Sequence, residues 1–217
     1  MRWKGLYLLV AVPPLAEFAE TGRWPSSPQD FITDVLLAAV IGCLVWLVCR
    51  QATRIATRVD TDSVTGLPNS TRFHTDLERE VVRAERHNLP MTLVCLSLDN
   101  FKAANDALGR AEGDALLRQF ARLLVQHIRT PVDRCYRVGG DEFALILPNT
   151  DVAGSGVVLE RIRKAATAEP CELPRHGVGL SAGSAQLQKA ETPRALVLRA
   201  DSLMYDAKRG GKDHVRV

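Results

Sequence analysis

Two patterns of hydrophobic and polar positions divide the chain into an N-terminal and a C-terminal part. The first fifty residues contain long apolar runs, whereas from about Asp62 onward apolar and charged positions alternate as they do in a soluble domain. The run at 31–49 has polar breaks only at Thr33 and Asp34. A helix of that length spans roughly 28 Å, close to the thickness of a bilayer core. We predict a transmembrane span here, with a buried core helix as the alternative.

A second apolar run, at 3–18, is shorter and contains Pro13 and Pro14. We predict a retained, kinked first span, with a signal-peptide core as the alternative. Positive residues flank the two runs and acidic residues lie between them, which places both termini in the cytoplasm by the positive-inside rule. The predicted organisation is a transmembrane hairpin, a linker or signalling helix and a catalytic domain, over 1–50, 51–61 and 62–217.

The C-terminal part shows helical and strand-like periodicities in alternation. Predicted helices cover about 70–88 (capped by Ser70 or Thr71), 113–129, 151–168 (capped by Asp151) and 192–209 (beginning at Thr192). Predicted strands cover 91–98, a hairpin at 135–147, and 178–187. The order βαββαβ describes an α+β fold with a split, mostly antiparallel sheet and helices on one face. Such folds host many functions, so the site residues must identify the function.

Composition and charge exclude one class of partner. The net charge is only +3, and no basic stripe interleaved with aromatic residues is present, so we predict no binding to nucleic acid. The five cysteines stand at no metal-ligand or disulfide-framework spacing. They are predicted to be reduced packing residues.

The most specific chemical feature is the string Arg-Val-Gly-Gly-Asp-Glu-Phe at 137–143. Gly139 and Gly140 stand at the predicted hairpin tip, where they allow a backbone approach that a Cβ would block. Asp141 and Glu142 follow directly, although solvation of a turn needs neither carboxylate. Each pair is ordinary alone, but the whole string between two apolar strands is specific.

This string and three further motifs resemble the GGDEF diguanylate cyclase family. The family's opening D-x-L-T-G-L-x-N, its D-x-F-K-x-x-N-D-x-x-G-x-x-x-G-D block and its closing A-D-x-x-M-Y-x-A-K-x-x-G-[KR] are matched in order and at family spacing. The matching segments are 62–69, 98–106 with Gly109 and 113–114, 137–143, and 200–208 with 211–212. The resemblance implies a palm-like nucleotidyl cyclase domain, which follows the transmembrane helical hairpin predicted from the apolar runs, and we expect the protein in a bacterial inner membrane.

The resemblance implies condensation of two GTP molecules into cyclic di-GMP, with Mg²⁺ or Mn²⁺ as cofactor. Asp141 and Glu142 would hold the cation with the carbonyl of Leu98, and Asp141 would also act as the base. The other implied catalytic and substrate-binding residues are Phe101, Lys102, Asn105, Arg110, Asp114, Gly139, Gly140, Lys208 and Lys212. Within this set Asn105 and Asp114 would recognise guanine, and the lysines would neutralise phosphate charge. The implied partners are GTP, a second copy of the chain as homodimer, and membrane lipid.

Ser97 departs from the family, which has its first metal-binding aspartate there in the pattern D-x-D-x-F-K. A neutral hydroxyl is a poor Mg²⁺ ligand. Asp99, two residues further on the same strand face, is predicted to supply the missing metal ligand. The alternative function is a degenerate family member that binds GTP or cyclic di-GMP as a receptor. A third is a membrane scaffold that only dimerises.

The family's product-inhibition motif R-x-x-D is also altered. Asp133 matches its last position, but Thr130 stands where the arginine belongs and Arg129 lies one residue earlier. Arg129, Asp133 and Arg161 form the predicted inhibitory site. The phosphates of a cyclic dinucleotide are best bound by a guanidinium group. Because the arginine is displaced by one residue here, we expect weak feedback inhibition.

Overall fold

The computed structural model describes residues 32, 36–37, 39–47, 60–210 and 215–216. Contacts divide the chain into two units, 1–58 and 59–217. The predicted span at 3–18 and most of the predicted linker lie outside the described residues. Residues 39–47 are helical, and among the described residues no helix is both long and apolar enough to cross a membrane.

The second unit contains every strand that the structure describes. In chain order its elements are α1 (Ser70–His87), β1 (Met91–Asp99), α2 (Phe101–Leu108), α3 (Arg110–His127), β2 (Arg134–Arg137), β3 (Glu142–Pro148), α4 (Val152–Thr167), a 3₁₀ turn (Pro174–His176), β4 (Gly179–Gln186), α5 (Pro193–Arg209) and β5 (Val215–Arg216). The predicted elements are confirmed, with ends displaced by a few residues. Helix α2 was not predicted, because eight residues make only about two turns and show no clear period.

The five strands form one sheet in the order β2-β3-β1-β4-β5. All neighbours are antiparallel except β4 and β5, which confirms the predicted mostly antiparallel sheet. Strand β1 lies at the centre, and eight of its nine residues are buried. Its C-terminal end therefore meets the hairpin between β2 and β3 on one side and the beginning of β4 on the other.

Helices cover both faces of the sheet, so the prediction that they lie on one face is wrong. Val94, Leu96 and Leu98 of β1 pack in one core cluster with residues of α3 and α4. Met91 and Leu93 pack in a second cluster with residues of α1 and α5. Strand β1 is apolar on both of its faces, and a strand of that kind must be covered on both.

Side-chain caps begin three of the helices. Asn69 accepts a hydrogen bond from the backbone of α1, so the predicted cap at Ser70 or Thr71 is displaced by one or two residues. Asp151 caps α4 and Thr192 caps α5, and for Asp151 this confirms the prediction. Each of these oxygens satisfies an N–H group that has no partner inside its helix.

Helix α5 lies unusually close to β4 at Gly183. A Cβ at this position would lie 2.1 Å from the backbone nitrogen of Met204 and 2.4 Å from the carbonyl oxygen of Ala200. Both are backbone atoms of α5, which cannot move aside as a flexible side chain could. Gly183 thus sets the distance between α5 and the sheet.

Candidate active site

The register of β1 and β3 builds the centre of the candidate site. Ser97 lies opposite Glu142 in the antiparallel pair, and the N–H of Leu98 donates to the carbonyl of Asp141 at 3.1 Å. At the hairpin tip the N–H groups of Val138 and Gly139 donate to the carbonyl of Glu142, at 3.0 and 3.3 Å. The structure therefore brings Leu98, Asp141 and Glu142 together, through the N–H of Leu98, and the role of the Leu98 carbonyl as a metal ligand stays a prediction.

Ser97 contacts one of the two hairpin carboxylates directly. Its Oγ donates a hydrogen bond to Oδ2 of Asp141 at 3.1 Å. Ser97 is completely buried, whereas Asp141 is half-buried and Glu142 is exposed. A buried hydroxyl thus holds the carboxylate of Asp141 from the sheet side.

Asp99 points to a different partner. Its two carboxylate oxygens accept hydrogen bonds from Oγ of Ser181 on β4, at 3.0 and 2.8 Å, and the residue is buried. Among the described residues no group of three or more His, Cys, Asp or Glu side chains could hold a metal ion. The structure therefore does not join Asp99 to Asp141 and Glu142. Asp99 lies two positions along β1 from Ser97, which is the residue that contacts Asp141, and two positions of strand correspond to about 6.6 Å.

The hairpin residues nevertheless fit a divalent cation that brings other ligands with it. Asp141 and Glu142 are adjacent, and Leu98 lies beside them. Mg²⁺ usually keeps several waters and is bound through one or two carboxylates together with substrate phosphates. Two carboxylates and a main-chain carbonyl match that description, and they are too few for a cage made by the protein alone.

The two glycines of the hairpin differ in their surroundings. A Cβ on Gly139 would lie 3.0 Å from Oε2 of Glu142, so Gly139 leaves room for that carboxylate. A Cβ on Gly140 would meet nothing within 4 Å. Within this chain, an added Cβ would therefore meet another group at Gly139 but not at Gly140.

An ion pair that was not predicted supports the hairpin tip. Arg137 donates to Asp62 at 2.9 Å and, through Nε and Nη2, to the carbonyl of Gly140 at 3.1 and 2.7 Å. Burial acts to raise the pKa of Asp62, but hydrogen bonds from Thr65 and Arg137 outweigh it and the pKa lies below its ordinary value. The charged pair joins the opening motif to the hairpin, across 75 residues.

The candidate guanine-recognising residues lie where α2 meets α3. Gly109 joins the two helices with a φ of +86°, and its N–H donates to the carbonyl of Asn105 at 2.9 Å. A Cβ on Gly113 would lie 2.1 Å from Oδ1 of Asn105. The Asn105 side chain therefore lies over Gly113, the chain neighbour of Asp114, and a bare glycine is needed there.

The predicted phosphate-binding cations stand at helix ends. Lys102 and Arg110 are exposed in the first turns of α2 and α3, and Lys208 is half-buried in the last turn of α5. Phe101 packs against the larger core cluster. Lys212 lies outside the described residues. Each of the described cations is at a surface where a phosphate could reach it.

The predicted inhibitory residues are engaged in contacts within the domain. Arg129 donates to Asp133 at 2.9 and 2.6 Å, and also to the carbonyl of Pro148 and to Oγ1 of Thr150. Arg161 donates to the carbonyl of His127 at the end of α3. These guanidinium groups tie chain segments together.

A small cavity beside Glu142 is lined by one of the five cysteines. Its volume is about 210 Å³, and its walls include Cys95, Glu142 and Asp201. Burial, with the nearby charges of Asp201 and Glu142, raises the pKa of the Cys95 thiol to about 12. Burial therefore favours the protonated thiol, in keeping with a reduced packing residue.

The chain belongs to the GGDEF family. The family model described as "Diguanylate cyclase, GGDEF domain" matches residues 59–214. Diguanylate cyclase DgcP of Pseudomonas aeruginosa is 36% identical over 159 residues, which are 72% of this chain and 24% of DgcP. Diguanylate cyclase DgcS of Shewanella oneidensis is 34% identical over 152 residues, 70% of this chain and 50% of DgcS. This chain thus spans at most half the length of these two relatives.

A solved structure shows the same architecture. The coiled coil and GGDEF domain of DgcB from Caulobacter crescentus, in complex with c-di-GMP, has a TM-score of 0.71 and 27% sequence identity to this chain. The match covers 82% of this chain and 95% of that one. The similarity confirms the palm-like α+β fold of the domain.

Proposed function

We propose that this protein is a diguanylate cyclase, which condenses two GTP molecules into cyclic di-GMP and releases pyrophosphate. The observation that carries the proposal is the strand register that sets Ser97 and Leu98 beside Asp141 and Glu142 at the hairpin tip. The diguanylate cyclases DgcP and DgcS, which share this domain, support it.

The reaction requires a base and neutralisation of charge. Asp141 accepts the proton of a 3′-hydroxyl, whose oxygen then attacks the α-phosphorus of the second GTP while the bond to pyrophosphate breaks. Asp141 and Glu142 would hold a divalent cation, which would supply charge neutralisation at the triphosphate. A second such step closes the ring, so two pyrophosphates are released for each cyclic di-GMP. The lysines at 102, 208 and 212 offset the remaining phosphate charge.

Asn105 and Asp114 account for the choice of guanine. A carboxylate can accept from both the ring N–H and the exocyclic amino group of guanine. Adenine lacks the ring N–H, so it would leave a carboxylate oxygen without a partner, which disfavours adenine strongly. The contact of Asn105 with Gly113 supports this role, because it holds the amide next to Asp114.

We further propose that two copies of the chain complete the active site. One hairpin holds one GTP, and the bond is formed between two GTP molecules, so two domains must face each other across a two-fold axis. The specific activity of the full-length protein should therefore fall when the protein is diluted in detergent. An activity per molecule that stays constant over the dilution series would contradict this assembly.

Membrane anchoring at a bacterial inner membrane, with the catalytic domain in the cytoplasm, is part of the proposal. It is supported by the apolar sequence of 31–49 and by the charges that flank it. Within this segment Leu36, Leu44 and Trp46 are each more than half exposed, as side chains that contact lipid would be. Partition of the full-length protein between membrane and soluble fractions, with and without 1–50, tests this proposal.

The test of the activity is direct. Purified full-length protein is incubated with GTP and Mg²⁺, or with GTP and Mn²⁺, and the products are identified by mass spectrometry, with ATP as the control substrate. We expect cyclic di-GMP and pyrophosphate from GTP only. Binding of GTP or cyclic di-GMP without any synthesis under either cation would instead establish the receptor function that Ser97 suggests.

A further inference from the structure

We infer that Ser97 positions the carboxylate of Asp141 and makes cation binding depend on nucleotide, so that the divalent ion enters together with GTP. The inference rests on the proposed function and adds how the divalent ion and GTP bind at the same site.

The first part of the argument is the geometry of Ser97. It lies in the central strand, is completely buried and faces Glu142 across the ladder. Its hydroxyl donates to Oδ2 of Asp141 at 3.1 Å. Since a buried strand side chain has little freedom, this bond fixes the carboxylate before any ligand arrives and leaves Oδ1 for the proton or the cation.

The second part is the charge available to a cation. Asp141 and Glu142 supply two negative charges, while Asp99 is engaged by Ser181. In the part of the chain that the structure describes, no third acidic, histidine or cysteine side chain completes a metal-binding group. A hard, strongly hydrated ion gives up its water for such a site only when further anionic oxygens are added. The triphosphate of GTP provides these oxygens.

The third part is the consequence for Asp141 itself. Two adjacent carboxylates repel each other, and a bound cation would normally hold them in place. Here a neutral hydroxyl holds Asp141, and it adds no negative charge to the site. The carboxylate of Asp141 is therefore ordered without a metal ion, and the site acquires one with its substrate.

The binding experiment uses Mn²⁺ as a paramagnetic probe on the full-length protein. Free Mn²⁺ is measured by electron paramagnetic resonance during titration of wild type, Ser97→Asp and Ser184→Ala, without nucleotide. Ser184 is the matched control, because it lies on β4 of the same sheet and its buried hydroxyl contacts that of Ser155 in α4 at 2.6 Å. We expect Ser97→Asp to bind Mn²⁺ at least about tenfold more tightly than wild type, and Ser184→Ala to equal wild type.

Nucleotide is then added as a GTP analogue with a methylene group between the α- and β-phosphorus atoms, which cannot release pyrophosphate. In wild type the analogue should bind at least about tenfold more tightly with Mn²⁺ than without it, at Mn²⁺ concentrations where the protein alone binds none. Tight binding of Mn²⁺ by wild type in the absence of nucleotide would overturn the inference, whether or not Ser97→Asp folds.

The positioning role is tested by kinetics. Ser97→Ala should lower kcat for GTP by about tenfold with little change in KM, and Ser97→Thr, which keeps the hydroxyl, should restore most of kcat. Ser184→Ala should lose similar stability and keep its kcat. Equal kcat values for Ser97→Ala and wild type would overturn the positioning role. Absence of cyclic di-GMP from every variant, with the Mn²⁺ titrations as expected, would instead contradict the proposed function.

Discussion

The carboxylate of Asp76 and the hairpin carboxylates of Asp141 and Glu142 have opposite surroundings. The side chain of Asp76 is only 5% exposed and its Oδ2 accepts from Arg72 at 2.9 Å, from Arg134 at 3.0 Å and from Tyr136 at 3.0 Å. Asp141, by contrast, accepts one hydrogen bond from Ser97, and Glu142 is exposed. A carboxylate that arginines pair within the domain holds the fold together, whereas those left open to solvent remain available for ligands.

The charge of Asp76 is stabilised although it is buried. Burial acts to raise its pKa, but hydrogen bonds from Arg72, Tyr136 and Arg134 outweigh this, and the pKa lies below the ordinary 3.8. Burial and the charge of Asp76 raise the pKa of Tyr136. The cluster therefore remains an ionised contact between α1 and β2, and we assign it to stability.

The largest expected effect separates the two groups most clearly. Asp141→Ala and Glu142→Ala should each lower cyclic di-GMP synthesis at least about 100-fold, because each removes half of the charge that holds the cation. Thermal unfolding should change little, because both side chains reach solvent. Glu78→Ala, which removes an exposed acid from α1, is the control. Activity retained by either hairpin variant would place the chemistry elsewhere.

Asp76→Asn should produce the reverse pattern. We expect a loss of about 2 kcal/mol in the free energy of unfolding, since charge-assisted hydrogen bonds from two arginines are weakened. The activity per folded molecule should remain within about twofold of wild type. Urea unfolding monitored by circular dichroism measures the first quantity. A variant with wild-type stability and reduced kcat would assign Asp76 to the active site instead.

The same substitution gives a pH dependence with a defined sign. Because the folded-state pKa of Asp76 is lowered, its contribution to stability is present above the ordinary value of 3.8 and is lost as the pH falls through the folded-state value. The difference in stability between wild type and Asp76→Asn should therefore be constant near neutral pH and shrink below about pH 4. A difference that persists at pH 2 would refute this explanation.

Substitutions at two glycines should affect the site less than substitutions at the hairpin carboxylates. Gly183→Ala would press a Cβ against the backbone of α5 and should cost about 1–3 kcal/mol of stability. Gly113→Ala would press against the Asn105 side chain, which can rotate away, and should chiefly raise KM for GTP by several-fold. Unfolding and initial-rate measurements on both variants should show opposite profiles.

The smallest expected effect concerns product inhibition. The guanidinium of Arg129 is held by Asp133 and Thr150, so the Arg129–Asp133 ion pair, like the ion pairs of Asp76, stabilises the fold. Thr130→Arg adds an arginine at the family offset and should strengthen inhibition by cyclic di-GMP without changing the initial rate. Inhibition constants that already match the affinity for GTP in wild type, and do not change in the variant, would contradict this prediction.

Much of the domain could be read from the sequence because its signals are local. The strand-like run at 91–98, the hairpin at 135–147 and the helical caps at Asp151 and Thr192 each depend on neighbours within a few residues. The motif string at 137–143 identified the site for the same reason. Helix α2 was missed because it is short, and the helices were predicted on one face although β1 is apolar on both of its faces.

The sequence by itself determined the family, the order of the elements and the identity of the hairpin carboxylates. Only the tertiary structure decided which side chains those carboxylates meet. Ser97 reaches Asp141 across 44 residues, and Asp99 turns to Ser181 across 82. Such contacts depend on the register between strands that are far apart in the sequence, and that register is specified only when the buried faces of the sheet pack. The role of a substituted motif residue therefore depends on the side chains that the neighbouring strand brings to it.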